Sequence, residues 1–390
     1  MNALWLEIIV QFAFTDEQEQ FRSVVRRFMH DKSPTTEVRR LMATAEGFDA
    51  NVWRQLSDDL ALTGIHIPES YGGSGFGPVE LGIAMEEQGR ALLCAPFLSS
   101  SVLAAAAILN SANEEQKANL LPAIASGATR AALAVTELNG RWDAGGVQAI
   151  ASRVGSEWRI DGAKHFVIDG CSAKTLIVVA RDAGSSGDSG LSFFVVDGNA
   201  TGVTRRGLAT LDPTRKQASI EFTRASAELL GNAGGGAAAL SRTFDHAAIA
   251  LANEMVGGAQ ALLESAVAYA NMRVQFGRAV GSFQAIKHKC ADMLLDVELA
   301  KSSTYYAAQA EAEGDVQTPA LASLAKAAAA DAYMRAAANT IQIHGGIGFT
   351  WDNDTHLWFK RAKSSEVMLG DPNYHRELML QRLEQKGLEA

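Results

Sequence analysis

The segment from Arg273 to Gln284 combines three side chains whose chemistry suits one kind of ligand. Its sequence, RVQFGRAVGSFQ, places a cation at Arg273, an aromatic ring at Phe276 and an amide at Gln284. A guanidinium is permanently charged and pairs with anionic groups, while the ring offers a stacking face. The segment contains glycine and separates two alanine-rich stretches of helical pattern. We therefore expect a loop between two helices that binds an anionic, aromatic ligand.

The composition limits the partners of the chain. It has 390 residues, of which 47% are hydrophobic and 20% are charged, a balance typical of globular proteins with sizeable cores. Its formal net charge of −9 argues against nucleic acid or an anionic membrane as the main partner. Small molecules or other proteins are the expected partners.

The cysteines and histidines do not form the pattern of a disulfide framework or a metal site. Cys94, Cys171 and Cys290 are far apart and odd in number, and we interpret them as buried thiols of a cytoplasmic protein. None of the eight histidines stands at metal-ligand spacing from a cysteine or a second histidine, so no metal is expected. The apolar opening, residues 1–14, lacks a basic start and is too short to cross a bilayer. No membrane segment is expected.

Residues 1–130 have a helical pattern and are predicted to form the first domain. Thr15 stands before an acidic run and before apolar residues spaced by three and four, which predicts a helix that starts there. Asn113 stands before two glutamates and predicts the start of another helix. Residues 68–78 are rich in glycine and indicate a loop. The remaining predicted helices cover residues 51–62, 81–90 and 98–109.

Residues 131–236 change to short runs of β-branched and aromatic residues and are predicted to form a second domain. Turn pairs such as Asp161-Gly162 separate the runs. The pattern predicts a small β-barrel or sandwich, with the glycine-rich residues 231–236 as the linker that leaves it. The predicted strands cover residues 131–136, 147–154, 158–160, 165–168, 175–180, 191–196 and 218–222.

Residues 237–390 return to a helical pattern dominated by alanine, which favours helix formation and close helix packing. They are expected to form a four-helix bundle. The fold class is therefore α+β, with a helical domain, a small β domain and a helical bundle in that order. The predicted helices of the bundle cover residues 237–271, 282–313, 318–345 and 359–386.

This domain order resembles the acyl-CoA dehydrogenase family over residues 14–383. Members of that family bind FAD at a tetramer interface and remove the α and β hydrogens of an acyl-CoA thioester, so the resemblance implies FAD as cofactor and an acyl-CoA as substrate. The family holds the diphosphate and adenine of FAD with an R-x-x-F-G segment and a later glutamine. Arg273, Phe276-Gly277 and Gln284 match this motif. Electron-transfer flavoprotein is the implied electron acceptor, and an oxidase that reduces oxygen is the alternative.

A second family motif, Q-I-x-G-G-x-G-F, matches the segment that starts at Gln342. Gly345 and Gly346 are expected to let the backbone approach the cofactor of a neighbouring subunit. The resemblance also implies that Thr136, in a V-T-E segment, and the strand with Phe166 and Ile168 lie beside the flavin. A D-G-x-K turn at residues 161–164 and a Y-G-G loop at residues 71–73, expected near the thioester, match the family as well.

The residues that perform chemistry in the family are replaced here. The catalytic base of most members is a glutamate in the last helical region, and Leu369 stands at its position. A minority of members carries the glutamate on an earlier helix, where this chain has Ala247, and Ala248 replaces a neighbouring arginine that helps to hold the CoA chain. Neither leucine nor alanine accepts a proton.

Two further replacements concern the flavin and the substrate. Ile168 stands where the family has a threonine that bonds near flavin N5, and Trp142 stands where it has a small serine beside the pantetheine. Some bacterial members, especially those acting on steroid side chains or other bulky acyl groups, are heteromers in which one subunit supplies the base and the related subunit lacks it. This chain resembles the subunit that lacks the base.

Three acids could still make the chain a self-sufficient homotetrameric dehydrogenase: Asp371, Glu366 and Glu254. Asp371 precedes a proline and also suits a cap on the last helix, and Glu254 also suits a buried ion pair. We rank Asp371 above Glu254 as a candidate base, and both below the absence of a base. A third alternative is a homologue that binds nucleotide or CoA without turnover.

Overall fold

The computed structural model describes residues 14–389 and contains a helical N-terminal region, a central sheet and a helical C-terminal region. Most of the apolar opening, residues 1–13, lies outside the described residues. From residue 14 to residue 389, none of the helices combines the length and the apolar character that a membrane crossing requires.

Both predicted helix starts in the N-terminal region are confirmed. The side chain of Thr15 accepts a hydrogen bond from the Gln18 backbone at 3.3 Å, and that of Asn113 accepts one from the Gln116 backbone at 2.9 Å. The predicted helix over 98–109 is only partly correct, because residues 97–104 wind as a wider π-helix before α5 begins. The N-terminal helices are α1 (Asp16–Lys32), α2 (Thr35–Met42), α3 (Ala50–Asp58), α4 (Pro78–Arg90), α5 (Ala105–Ser111) and α6 (Glu114–Ala125).

The central strands are β1 (Ala131–Ala134), β2 (Ile150–Val154), β3 (Glu157–Ile168), β4 (Thr175–Asp182), β5 (Leu191–Asp197), β6 (Val203–Gly207) and β7 (Gln217–Leu230). Strand β4 pairs with β2 and β5, while β7 pairs with β5 and β3, and β3 pairs with β2. This ring of pairings closes the sheet into the predicted small barrel. Alternate side chains point inward and form a separate apolar core.

The predicted turn at Asp161-Gly162 is wrong. Residues 157–168 form one strand that pairs with β7, and the register shifts at Gly162 and again before Val167. Gly162 has a φ of +137°, which is open in practice only to glycine. A bulge and a turn use similar residue types, and the pairing with the distant β7 decides between them. Strand β6 was not predicted, because its sequence VTRRG is largely polar.

The C-terminal helices are α7 (Ala237–Met272), α8 (Gln284–Ala312), α9 (Thr318–His344), α10 (Thr355–Val367) and α11 (Pro372–Glu389), and two short strands, β8 (Val274–Gln275) and β9 (Arg278–Ala279), join α7 to α8. Helix α9 packs against α7, α8, α10 and α11. The predicted single helix over 359–386 is wrong, since the chain turns between α10 and α11. Leu369 and Gly370 have positive φ angles of +60° and +106° at this turn.

One apolar core joins the N-terminal helices to the C-terminal bundle, and the barrel interior forms another. The domain limits 1–130, 131–236 and 237–390 stay a prediction. The interpretation of the cysteines as buried thiols is wrong for Cys171, which is exposed, whereas Cys94 is buried and Cys290 is partly buried.

Candidate functional site

The segment 273–284 contains a β-hairpin rather than an irregular loop. Strands β8 and β9 pair across a two-residue turn at Phe276 and Gly277, whose φ angles are +53° and +75°. A type I′ turn requires positive φ at both residues, and phenylalanine adopts it only with strain. Phe276 is 91% exposed at the tip of this hairpin. Arg273 and Gln284 are also exposed, so all three predicted ligand-binding side chains are open to a ligand or a second subunit.

The glycine motif lies at the same end of the helical bundle. Helix α9 ends at His344, and Tyr269, near the end of α7, stacks on its ring at a centroid distance of 4.1 Å. The Tyr269 hydroxyl also donates to the His344 carbonyl at 3.3 Å. At Gly345 and Gly346, a Cβ would have no atom of the described chain beyond its immediate neighbours within 4 Å. The backbone at both glycines is therefore open, and Gln342 beside them is exposed.

A cavity of about 230 Å³ lies between the barrel and α10, and we call it the small cavity. The bulge before Val167 gives Phe166 a φ of +58° and leaves its ring 43% exposed at this cavity. Thr136 also lines it, whereas Ile168 is buried and does not. Two of the three predicted flavin-facing residues are thus brought together. The other residues that line it are Gly140, Trp142, Gln217, Ser364, Val367 and Met368.

A buried ion pair holds Thr136 against the strand of Phe166. The Lys164 ammonium donates to the Val135 carbonyl at 2.9 Å and to Glu137 Oε1 at 2.6 Å. Burial lowers the pKa of Lys164 to about 8, although the Glu137 carboxylate opposes this shift. The V-T-E and D-G-x-K segments, which the sequence presents as unrelated matches, therefore form one structural unit that orients the wall of the small cavity.

A second cavity, of about 450 Å³, lies between the start of α7, the 140–144 loop and α11, and we call it the large cavity. Aromatic rings of Trp142, Phe244 and Tyr374 form part of its wall. Trp142 lines both cavities. The remaining lining residues are Asp143, Ala144, Asp188, Ala237, Ala238, Leu240, Ser241, Asp245, Leu369, His375, Leu378 and Arg382.

The large cavity contains a buried acid that the sequence did not single out as a candidate base. Asp245 accepts a hydrogen bond from the Arg382 guanidinium at 2.7 Å. Burial raises the pKa of Asp245 to about 6, and Arg382 opposes this shift. Asp245 is the one residue of the 244–248 segment that matches the family's pattern. Its burial is not visible in the sequence, because that burial depends on the packing of α11 against the bundle.

Leu369 stands in the wall of the large cavity, on a turn that two other helices hold in place. The His375 ring nitrogen Nε2 bonds the Leu369 carbonyl at 3.0 Å. The buried Lys326 ammonium donates to the carbonyls of Glu366 and Gly370 at 3.2 and 3.1 Å. Burial lowers the pKa of Lys326 to about 7. These contacts stabilise the positive φ of Leu369, a conformation that is costly for a side chain of this size.

We expect His375 to make the stability of the protein fall in acid. Burial lowers its pKa from 6.5 to about 3. Between these values the unfolded chain binds a proton that the folded chain does not, so lowering the pH removes about 1.4 kcal/mol of stability per pH unit. Urea unfolding at pH 7 and pH 5 should show that wild type loses about 2 kcal/mol more than His375→Gln between these two conditions. Equal losses would contradict the assignment of this pH dependence to His375.

The acids that were candidate bases have other roles in the structure. Asp371 is exposed and accepts a hydrogen bond from the Tyr374 backbone at 2.8 Å, which confirms the alternative interpretation of a helix cap. Glu366 forms an ion pair with Lys363. Neither Asp371 nor Glu366 lines the two cavities.

Glu254 is buried in an ion-pair network, which confirms the alternative interpretation of this residue as a member of a buried ion pair. Its carboxylate lies 2.5 Å from Arg215 and 2.6 Å from Arg361. Burial alone would raise its pKa, but the two guanidiniums outweigh burial and the pKa lies below its ordinary value. Arg361 also donates to the buried Asp212 at 2.8 Å. A carboxylate bound by two arginines is a weak base, so this geometry does not favour catalysis by Glu254.

The other three residues at predicted base or substrate-binding positions line neither cavity. Ala247 and Ala248 lie on α7 and are buried in the main apolar core. The Tyr71 hydroxyl bonds Glu114 at the surface, and Tyr71 lines neither cavity. The expectation that Tyr71 lies near a thioester is therefore not supported by the lining of these cavities.

The residues present fit FAD. The small cavity offers a ring-shaped ligand the apolar side chains of Phe166 and Met368. The open backbone at Gly345 and the exposed Arg273 and Phe276 suit a diphosphate and an aromatic base. Phe166 belongs to the barrel and Met368 directly follows α10. Arg273, Phe276 and Gly345 lie at one end of the bundle.

Comparison with known proteins identifies the family. Its models match the acyl-CoA dehydrogenase N-terminal domain over residues 15–128, the middle domain over 132–225 and the C-terminal domain over 234–384. The acyl-CoA dehydrogenase IpdE2 of Mycobacterium tuberculosis is 32% identical over 375 residues, which cover 96% of this chain and 98% of that protein.

Solved structures agree with this match. A variant of the Tcur3481-Tcur3483 steroid ACAD has a TM-score of 0.85 and 28% identity, and the match covers 95% of this chain and 99% of that one. The ChsE4-ChsE5 complex from Mycobacterium tuberculosis has a TM-score of 0.84 and 26% identity, with 97% and 99% covered. With three successive domain models matched and 32% identity to IpdE2 over nearly its whole length, the chain belongs to the acyl-CoA dehydrogenase family, FAD-dependent oxidoreductases that act on acyl-CoA.

Proposed function

We propose that this chain is the FAD-holding, base-lacking subunit of a heteromeric acyl-CoA dehydrogenase. The observation that carries the proposal is Leu369, an apolar side chain at the base position, in the wall of the large cavity. The second base position, Ala247, is buried among apolar residues. The acids Asp371 and Glu254 act as a helix cap and an ion pair. A related subunit would therefore supply the proton acceptor for the α,β-dehydrogenation of a thioester.

Two of the similar structures support a substrate class and an assembly. One is described as a steroid ACAD and the other as a complex of two named chains. We extend both descriptions to this chain, with a lipid- or steroid-derived acyl-CoA as substrate and a related subunit as partner. The aromatic wall of the large cavity, which includes Trp142, Phe244 and Tyr374, suits a bulky apolar acyl group.

The proposed roles of the residues follow from their positions. Arg273 would bind the diphosphate of FAD, while Phe276 and Gln284 contact its adenosine portion. The open motif at Gln342, Gly345 and Gly346 would receive the cofactor of another subunit.

Thr136 and Phe166 would hold the flavin ring in the small cavity, with Ile168 packed behind them. Bound FAD supplies the acceptor for the β hydride.

Expression of the chain alone and with a related acyl-CoA dehydrogenase subunit from the same genome tests the proposal. We expect the separate chain to leave the flavin band unbleached when an acyl-CoA is added without oxygen, and the co-purified complex to bleach it. Bleaching by the separate chain would overturn the proposal and make Asp245→Asn the next variant to examine. A preparation that cannot be reconstituted with FAD would instead favour a non-catalytic homologue.

We expect Arg273→Ala to weaken FAD binding by about 10- to 100-fold, because a charge-assisted hydrogen bond to phosphate contributes about 1.5–3 kcal/mol. Equilibrium dialysis with absorbance of the flavin band measures this affinity. Arg278→Ala is the matched control: its guanidinium belongs to the same hairpin but lies over the Phe283 ring at 4.0 Å. Equal losses in the two variants would show a general disturbance of the hairpin rather than a phosphate contact.

A further inference from the structure

The indole of Trp142 is shared by two cavities that are otherwise lined by different residues. The large cavity has Leu369 and Phe244 in its wall, and the small cavity has Phe166 and Met368. Met368 and Leu369 are consecutive, so the two linings also meet at this turn. Removing the indole would take away the one side chain that belongs to both linings.

The loop that carries Trp142 holds its side chain in this position. Asn139 accepts a hydrogen bond from the Arg141 backbone at 3.0 Å and donates to the Gly146 carbonyl at 2.6 Å. Asp143 accepts from the Gly146 backbone at 3.0 Å. The Trp142 ring meets the Phe244 ring edge-on at a centroid distance of 6.1 Å. The hydrogen-bonded loop and the aromatic contact with α7 together position the indole between the two cavities.

We propose that Trp142 closes the passage between the large and the small cavity, so that a thioester in the large cavity does not reach the flavin face of the same chain. This inference rests on the proposed function and deepens it. The chain then lacks turnover for two independent reasons, since Leu369 accepts no proton and Trp142 separates donor from acceptor. Trp142 becomes a specificity-determining residue that restricts this chain to holding ligands without oxidising them, and the thioester that the complex oxidises is then bound by the related subunit.

The test uses the full chain reconstituted with FAD and phenylacetyl-CoA as the probe. This aromatic thioester cannot lose an α,β hydrogen pair, because its β carbon belongs to the ring. Calorimetry measures its binding, and absorbance of the flavin band reports whether it reaches the flavin. We expect wild type to bind the probe without a change in the band, and Trp142→Ala to bind it with a shift. A shift in wild type would overturn the proposal.

Two further variants control for a loss of packing. Trp142→Phe retains an aromatic wall and should behave as wild type. Trp158→Ala removes another partly buried indole, which packs on Phe194 at 5.3 Å and lines neither cavity, and it should also leave the band unchanged. A band shift in Trp158→Ala would assign the effect to general loosening of the barrel and overturn the role of Trp142.

A crystal structure of Trp142→Ala distinguishes two results: that Trp142 does not close the passage, and that the chain does not have the proposed function. We expect one continuous cavity from Leu369 to Phe166, and two separate cavities in Trp142→Phe. Persistence of two cavities in Trp142→Ala would overturn the inference whether or not flavin or thioester binds. A chain that takes up no FAD but shows merged cavities would contradict the proposed function alone.

Discussion

Replacing Leu369 by glutamate is expected to give this chain the proton-transfer activity that, under the proposed function, its leucine does not provide. The side chain stands in the wall of the large cavity, and Lys326 and His375 already hold the backbone of its turn. Apolar surroundings should raise the pKa of a glutamate there and make it a stronger base. We expect Leu369→Glu to exchange the α hydrogens of phenylacetyl-CoA with D2O about 10²- to 10⁴-fold faster than wild type, measured by mass spectrometry.

The isosteric variant Leu369→Gln is the control, because an amide has the shape of glutamate but does not accept the proton. Exchange needs no contact with flavin, so this result is independent of Trp142. A Leu369→Glu protein that binds the thioester but exchanges no faster than Leu369→Gln would show that the α carbon lies away from residue 369. Bleaching by an oxidisable acyl-CoA should need Trp142→Ala in addition, and fast bleaching by Leu369→Glu alone would contradict the closed passage.

Neutralising Glu254 is expected to destabilise the protein strongly. Glu254→Gln removes the negative charge between the buried guanidiniums of Arg215 and Arg361. Arg361 keeps its ion pair with Asp212, whereas Arg215 loses its carboxylate partner. Removing one member of a buried ion pair costs about 3–5 kcal/mol, because the remaining charge stays desolvated. Urea denaturation should show this loss in the free energy of unfolding.

Glu264→Gln is the matched control for this variant. Glu264 also pairs with an arginine, Arg90 at 2.6 Å, but its side chain is 51% exposed and solvent screens the pair. The expected loss is below about 1 kcal/mol. If Glu254→Gln were as stable as Glu264→Gln but lost flavin bleaching in the assembled complex, Glu254 would have a catalytic rather than a structural role.

Several elements follow from short stretches of sequence. The caps at Thr15 and Asn113 form hydrogen bonds within three residues, so their chemistry is local. The barrel is predicted from strand patterns, and the bundle from alanine-rich helices. The helix-breaking pattern predicts a loop at the Phe276-Gly277 pair, although glycine at the second position of a two-residue turn is a signal that favours a hairpin.

Other elements depend on contacts that local patterns do not contain. Strand β3 continues through Asp161-Gly162 because β7, far along the chain, supplies the hydrogen bonds. The last predicted helix divides at Leu369 because Lys326 and His375 bond the carbonyls of the turn. Side-chain type alone does not distinguish a helix from this turn, since leucine ordinarily favours helix.

The sequence by itself determined the family and the order of the three regions, because motif spacing and residue identity are properties of the chain. It also gives the apolar Leu369 and Ala247 at the two positions that the family resemblance assigns to the base. The tertiary structure decided where those residues act. Burial between Arg215 and Arg361 makes Glu254 an ion-pair partner, and exposure makes Asp371 a cap. The position of Trp142 between two cavities also appears only in three dimensions, because a wall is formed by residues that packing, and not sequence order, brings together.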